Sequence, residues 1–423
     1  MPAARATTEA VPAWFERARF GLFVHWGHGS RQGWELSWPL VGGAPNLHRC
    51  QDVPAETYHA NARAFRPDRD AAREWLAHAK RCGMEYAVLT TKHHDGFALW
   101  PSDAAASSIA VTPYDGDLVA EFVDATRAAG LRVGFYFSLC DWLHPDYPAF
   151  TDADRPYRFG MAPRPTDAQW ARFHAALCAQ LRELLTGYGR IDVLWFDGGW
   201  ERSSETWRTA ELVDLIRTLQ PDIVLNDRLP GAGDYDTPEQ FVPPEPPPRA
   251  WETCLTMNES WAWNPSDPDY KSPRALVHTL CEVAGRGGRL LLNVGPRGDG
   301  SLAPEQAERL NAIARWMGAY GESIVGTTAG LAPWQFYGPS TRRDGRVYLH
   351  LLSRPYDTIA VRGMPIRRVR RATELRTGTA LDFSGRCPII DELFNQDPTG
   401  EITIRVPEHV LDDLATVIAL DVE

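Results

Sequence analysis

Lysine is almost absent from this chain of 423 residues: three Lys stand against 41 Arg. Basic excess is absent too, since 44 basic and 55 acidic residues leave a formal net charge of −11. That balance argues against a nucleic-acid surface or an anionic membrane as partner. No apolar run approaches the roughly 18 residues of a membrane-crossing helix. Seven Cys (Cys50, Cys82, Cys140, Cys178, Cys254, Cys281 and Cys387) form no C-x-x-C pair, and the count is odd. Neither a disulfide framework nor a zinc knuckle is indicated. The first residues, MPAARATTEAVPAWFERARFG, carry no apolar leader core, so a reducing cytoplasm is the expected location. No internal repeat is found. What the chain has in abundance is aromatic surface: 16 Trp, 16 Phe and 13 Tyr. Large rings fill a large core, or they line a pocket that stacks on flat apolar faces.

Several short apolar runs end in a polar or glycine-containing signature. Phe20–His25 leads into Trp26-Gly27-His28-Gly29, Glu85–Thr91 into Lys92-His93-His94-Asp95-Gly96, and Leu131–Ser138 into Asp141-Trp142. Ile191–Phe196 leads into Asp197-Gly198-Gly199-Trp200, Asp222–Asn226 into Asp227-Arg228, and Arg289–Val294 into Gly295-Pro296. Runs of Val, Leu, Ile and Phe without alternation suit strands buried on both faces of a parallel sheet. Helical patterns lie between them at Asp70–Cys82, Leu118–Ala129, Asp167–Leu185, Trp207–Leu219, Ser272–Ala284 and Pro304–Tyr320. The alternation predicts an α/β fold, a (β/α)8-type barrel over residues 1–327, with a doubly wound open sheet as the alternative. The barrel is favoured because polar signatures end so many different strands, and barrels gather their chemistry on that face. From 328 to 423 short β-rich runs punctuated by Gly, Pro and Asp predict a C-terminal antiparallel β-sandwich. The Pro-rich stretch Phe241–Arg249 must be an extended loop.

Asp197 ends a strand, faces the barrel mouth and shares its face with Trp195 two residues earlier. A helix cap is the competing role for such an Asp. The loop Gly233–Gln240 (GDYDTPEQ) offers Asp234, Asp236 and Glu239. Two carboxylates on neighbouring strand loops are what glycoside hydrolysis requires, one as nucleophile or base and one to protonate the departing oxygen. His25, His28, His93 and His94 stand at strand ends. A metal-dependent barrel hydrolase is the rival reading, but His-x-x-His and His-His are weak ligand spacings. Neutral imidazoles, each one donor and one acceptor, suit vicinal sugar hydroxyls.

These stretches together resemble glycoside hydrolase family 29, the α-L-fucosidases, over about residues 14–327. The resemblance rests on WFERARFGLFVHWG (Trp14–Gly27), YAVLTTKHHDGFALW (Tyr86–Trp100), VGFYFSLCDW (Val133–Trp142), IDVLWFDGGW (Ile191–Trp200), Asn226-Asp227-Arg228, GGRLLLNVGPRGDG (Gly287–Gly300) and Gly321–Thr327. It implies a retaining exo-enzyme that removes terminal α-L-fucosyl residues through a covalent intermediate, with Asp197 as nucleophile. It implies sugar contacts from His25, His93, His94, Tyr136, Trp195 and Arg228, and places Glu35 near the sugar hydroxyls. Trp261 joins Trp195 as an aromatic wall. One subgroup, associated with α-1,3/1,4-linked fucose on branched oligosaccharides, carries T-P-E after N-D-R. Thr237-Pro238-Glu239 matches it and makes Glu239 the acid/base. Trp251-Glu252 and Ser260-Trp261-Ala262-Trp263 resemble later W-E and S-W-G-Y motifs. Ala262 and Trp263 replace Gly and Tyr there, and His28-Gly29-Ser30 departs from the usual turn, so a related L-sugar is the alternative substrate. The implied partner is a fucosylated oligosaccharide or glycoconjugate. No cofactor or metal is expected, and the sequence says nothing of oligomeric state. Most of the family is exported; with no leader recognised, this chain is expected to act on imported oligosaccharides.

Overall fold

The computed structural model describes residues 11–44, 47, 49–148, 155–159 and 163–423. The leader reading of residues 1–10 lies outside them. Seven parallel strands form one curled sheet, in the order Val224–Leu225, Val193–Asp197, Arg132–Ser138, Tyr86–Lys92, Phe20–Val24, Arg289–Val294 and Glu252–Leu255. The two outermost strands meet through Tyr235–Glu239, which bridges to both sides: Asn226 opposite Tyr235, Asp236 opposite Trp251, and Glu239 opposite Cys254. All three bridges are parallel. This segment is an irregular eighth stave, and it closes the barrel in chain order. Neither it nor Glu252–Leu255 appears among the apolar runs of the sequence.

Helices Ala71–Arg81, Leu118–Ala128, Asp167–Gly187, Thr209–Leu219, Pro273–Gly285 and Pro304–Tyr320 pack outside the sheet, within two residues of their sequence-predicted ends. Their starts have local causes. Thr166 and Gln169 form a reciprocal capping box. Asp117 accepts the N–H groups of Val119 and Ala120, each at 2.9 Å. Pro304 occupies a first-turn position, where its missing N–H costs nothing.

The barrel lumen is packed by Phe23, Tyr86, Val88, Tyr136, Val193, Trp195, Tyr235 and Leu291, and the short helix Ala13–Arg17 adds Phe15. Register puts Tyr136 level with Trp195 and Ser138 level with Asp197. Beyond the barrel, a five-stranded antiparallel sheet (Thr328–Ala329, Ser340–Arg343, Arg346–Leu351, Thr416–Val422 and Val369–Glu374) faces a three-stranded one (Thr358–Pro365, Thr399–Arg405 and Phe383–Arg386) across its own core. It is joined to the outer helices by buried polar contacts, Trp316 Nε1 to the Ala415 carbonyl at 2.8 Å and the Tyr320 hydroxyl to Glu374 at 2.9 Å.

Candidate active site

Asp197 is the last residue of its strand. Gly198 follows at φ 76°, a left-handed turn that a side chain resists, and an added Cβ would lie 2.7 Å from Cys140 Sγ. The chain thus turns sharply away and leaves the carboxylate at the mouth. On the next strand, pairing stops at Leu225, and the Asn226 side chain continues it. Its Oδ1 accepts the Phe196 N–H at 2.7 Å, and its Nδ2 donates to the Phe196 carbonyl at 2.9 Å. That stitch carries Arg228 to the mouth. The guanidinium then spans three elements: Nε donates to Thr237 Oγ1 at 3.1 Å, one terminal nitrogen faces Asp197 Oδ1 at 3.5 Å, and the other donates to Glu239 Oε2 at 2.7 Å.

Asp197 and Glu239 therefore share one cation. They line one cavity of about 240 Å³ with His25, His93, Tyr136, Trp195, Arg228 and Trp261, and Trp38, Phe159 and Trp200 add to its wall. The volume is below the roughly 300–1,000 Å³ of drug-sized pockets and suits one small ring. Of the three loop acids, Glu239 alone reaches this cavity. Asp234 takes Arg217 at 2.7 Å and the Leu225 N–H at 2.8 Å, and Asp236 pairs with Arg249 at 2.6 Å.

Planar groups are layered beside the carboxylates. The Arg228 guanidinium lies 5.1 Å over Trp195, Trp195 stacks on Tyr136 at 5.7 Å, and Tyr136 stacks on His93 at 5.5 Å. The Tyr136 hydroxyl donates to Asp197 Oδ2 at 2.8 Å. Burial pushes the Asp197 carboxyl up from its ordinary range, and Arg228 and that hydroxyl pull it back.

The imidazoles are neutral for a like reason: burial pushes His25 and His94 down to about 3 and His93 well below its usual value. Their tautomers follow from their partners. Asn293 Nδ2 donates to the Trp261 carbonyl at 2.7 Å, so its Oδ1 faces His25 Nδ1 at 2.7 Å and Nδ1 holds the proton. Ser138 donates to the Cys140 carbonyl at 3.0 Å, so its oxygen accepts His94 Nδ1–H at 2.7 Å. His94 Nε2 is then a buried acceptor with no hydrogen-bond partner among the described residues, 3.7 Å from Asp197 Oδ2. A hydroxyl donor placed there satisfies it, as a sugar would supply.

His28 lies elsewhere. Its ring pairs with Asp95 at 3.4 Å and Asn61 at 3.2 Å, a structural role. Glu35 lies in a neighbouring cavity of about 290 Å³, which shares Leu47, Glu239 and Trp261 with the first. It accepts the backbone N–H groups of Trp261 at 2.6 Å and Ala262 at 3.3 Å, and burial raises its pKa to about 8. It thus anchors the loop that carries Trp261. Glu252 is buried beneath the site and accepts Trp195 Nε1 at 3.0 Å, the Tyr235 hydroxyl at 3.3 Å and the Tyr86 hydroxyl. The sequence marks it only by its W-E neighbourhood. His93, His94 and Asp197 bring ligand atoms within 4.8 Å of one another, wider than the separation of about 3.4 Å that tetrahedral zinc bonds impose. The guanidinium beside Asp197 also opposes a second cation there.

A parallel barrel with two carboxylates, from staves on either side of Val224–Leu225, over a sugar-sized cavity defines a glycoside hydrolase. The family model for alpha-L-fucosidase matches residues 2–322. Tissue alpha-L-fucosidase of Bos taurus is 30% identical, over 77% of this chain and 70% of its own. The Homo sapiens enzyme is 29% identical over 94% and 85%. Alpha-L-fucosidase isoenzyme 1 from Paenibacillus thiaminolyticus superposes with a TM-score of 0.84 at 35% identity, covering 97% of this chain and 98% of its own. A Bacteroides thetaiotaomicron GH29 alpha-L-fucosidase, trapped as a covalent intermediate with 2-fluoro-fucosyl fluoride, gives 0.83 at 27%, covering 100% and 99%. The chain belongs to the alpha-L-fucosidase family, glycoside hydrolase family 29, and its substrates are fucosides.

Proposed function

We propose that the chain is a retaining exo-α-L-fucosidase, with Asp197 as nucleophile and Glu239 as acid/base, acting on α-1,3/1,4-linked fucose of branched oligosaccharides. The observation that carries this reading is the single Arg228 guanidinium held between the two carboxylates in one cavity. In the first step an Asp197 oxygen bonds to the anomeric carbon, the bond to the leaving oxygen breaks, and Glu239 gives that oxygen its proton. In the second step the Glu239 carboxylate takes a proton from water, whose oxygen replaces Asp197 at the same carbon. Free fucose leaves with its configuration retained, and both side chains return to their starting states. Neutral His25, His93 and His94 bind the hydroxyls, and Trp195 and Trp261 face the apolar side of the ring. Glu239 stands where the two cavities join, so the leaving sugar occupies the second one. The Thr237-Pro238-Glu239 motif supports the α-1,3/1,4 preference.

Asp197→Gly is expected to abolish turnover of 4-nitrophenyl α-L-fucoside, and added azide to restore release of nitrophenol with formation of β-fucosyl azide. The α anomer is expected as first product of the native enzyme by NMR. Near-native rates in Asp197→Gly, or a β first product, would overturn the mechanism. Faster cleavage of α-1,2- than of α-1,3/1,4-linked oligosaccharides would overturn the linkage preference alone.

A further inference from the structure

Gln240 is the residue after Glu239 and the last before the Pro-rich loop Phe241–Arg249. Its φ is 61°, left-handed backbone that a long side chain seldom adopts. Such a conformation persists only where its surroundings over-determine it, and two sets of contacts do so here. The Gln240 N–H donates to the Cys254 carbonyl at 2.9 Å, while the Cys254 N–H donates to the Pro238 carbonyl at 3.1 Å, so the main chain is pinned on both sides of Glu239. The Gln240 side chain folds onto buried Thr256. Its Nε2 donates to Thr256 Oγ1 at 3.0 Å, and its Oε1 accepts the Thr256 N–H at 3.3 Å. Thr256 is itself held, since its hydroxyl donates to the Asn258 carbonyl at 2.5 Å. Glu239, by contrast, has one side-chain hydrogen-bond partner among the described residues, Arg228. Arg228 also serves Asp197, so it fixes the carboxylate at one end only. The other end is fixed by the chain, and the chain leaves the barrel at Gln240.

We infer that Gln240 is a positioning residue for Glu239: its amide clamp on Thr256 holds the strained turn that keeps the acid/base between the two cavities. This rests on the reading of Glu239 as acid/base. Loss of the clamp passes the freedom of the Pro-rich loop to Glu239. A displacement of about 1 Å at such a group costs on the order of 100-fold in rate. The loss falls on substrates whose leaving group needs a proton and spares those that leave unaided.

The test compares kcat/KM, which reports the first chemical step, for 4-nitrophenyl α-L-fucoside and for a Lewis-type fucosylated trisaccharide. Gln240→Asn is the informative variant, because Asn tolerates left-handed backbone but is one methylene too short to reach Thr256. Gln240→Asn and Gln240→Ala are expected to lose about 10–100-fold on the trisaccharide and less than about threefold on the aryl fucoside. A double-mutant cycle with Thr256→Val is expected to be strongly non-additive. Equal losses on both substrates, a fully active Gln240→Asn, or additive effects would each overturn the clamp. Glu239→Gln, run alongside, keeps the two readings apart. If it too fails to discriminate between the substrates, the acid/base assignment fails. If it discriminates, with a loss of about 10²–10⁴-fold on the trisaccharide, while the Gln240 variants do not, only the positioning role fails.

Discussion

Tyr136→Phe isolates one hydrogen bond at the centre of the site. Tyr136 is buried, its ring is stacked between Trp195 and His93, and its hydroxyl donates to Asp197 Oδ2 at 2.8 Å. Phenylalanine keeps the ring and both stacking contacts and removes the oxygen alone. Burial raises the Asp197 pKa, and Arg228 and this hydroxyl oppose the rise. A hydrogen bond to a charged group contributes about 1.5–3 kcal/mol, so its loss disfavours the Asp197 carboxylate by that much and moves its titration. The sign is upward: the bond favours the carboxylate, and without it the protonated form persists to higher pH. As the proposed nucleophile, Asp197 attacks only as the carboxylate, so the variant is expected to lose activity from the acid side. The assay is kcat/KM for 4-nitrophenyl α-L-fucoside against pH, whose acid limb reports the essential base of the free enzyme. An acid limb that stays in place or moves to lower pH would refute the argument. Uniform loss at all pH would refute it too, and would give the hydroxyl a role other than setting the Asp197 titration.

Glu252→Leu leaves the Trp195, Tyr235 and Tyr86 donors unmatched in the lumen. At about 1–3 kcal/mol for each buried unsatisfied group, the urea midpoint is expected to fall sharply, and an unchanged midpoint would contradict the satisfaction argument. Prolonged dialysis against EDTA is expected to leave kcat/KM unchanged. Loss of activity recovered by zinc or manganese would reinstate His93, His94 and Asp197 as metal ligands.

The parts of the fold legible in the sequence were those whose burial is written locally. Phe20–Val24, Tyr86–Lys92 and Arg289–Val294 are buried along their whole length, and each shows an apolar stretch, Phe20–Val24 throughout, Tyr86–Leu89 and Leu290–Leu292. Glu252–Leu255 is equally buried but carries Glu252 and Thr253, whose polar atoms are satisfied by Trp195, Tyr235 and Tyr86 and by the Phe241 carbonyl. Tyr235–Glu239 pairs by single bridges, with no ladder to impose a period. The strand Ser340–Arg343 of the C-terminal sheet is short and half charged, and it gives no β pattern either. Strand period did place Trp195 and Asp197 on one face, because both lie on a regular strand.

What local pattern cannot do is sort chemically identical side chains, since their roles are decided by partners remote in sequence. Asp234, Asp236 and Glu239 occupy one short loop, yet the first two are taken up by Arg217 and Arg249, and the third meets Arg228 in the cavity. His25 and His28 are three residues apart. Asn293 turns one ring into the site, and Asn61 and Asp95 hold the other away from it. Glu35 lies more than two hundred residues from the Trp261 and Ala262 amides it accepts. In each case the deciding atom belongs to another segment of the chain, so folding separates groups that composition and spacing leave equivalent. The Arg228 guanidinium is the clearest instance: one cation from one strand end selects, from the acids around the mouth, the two that face a common cavity.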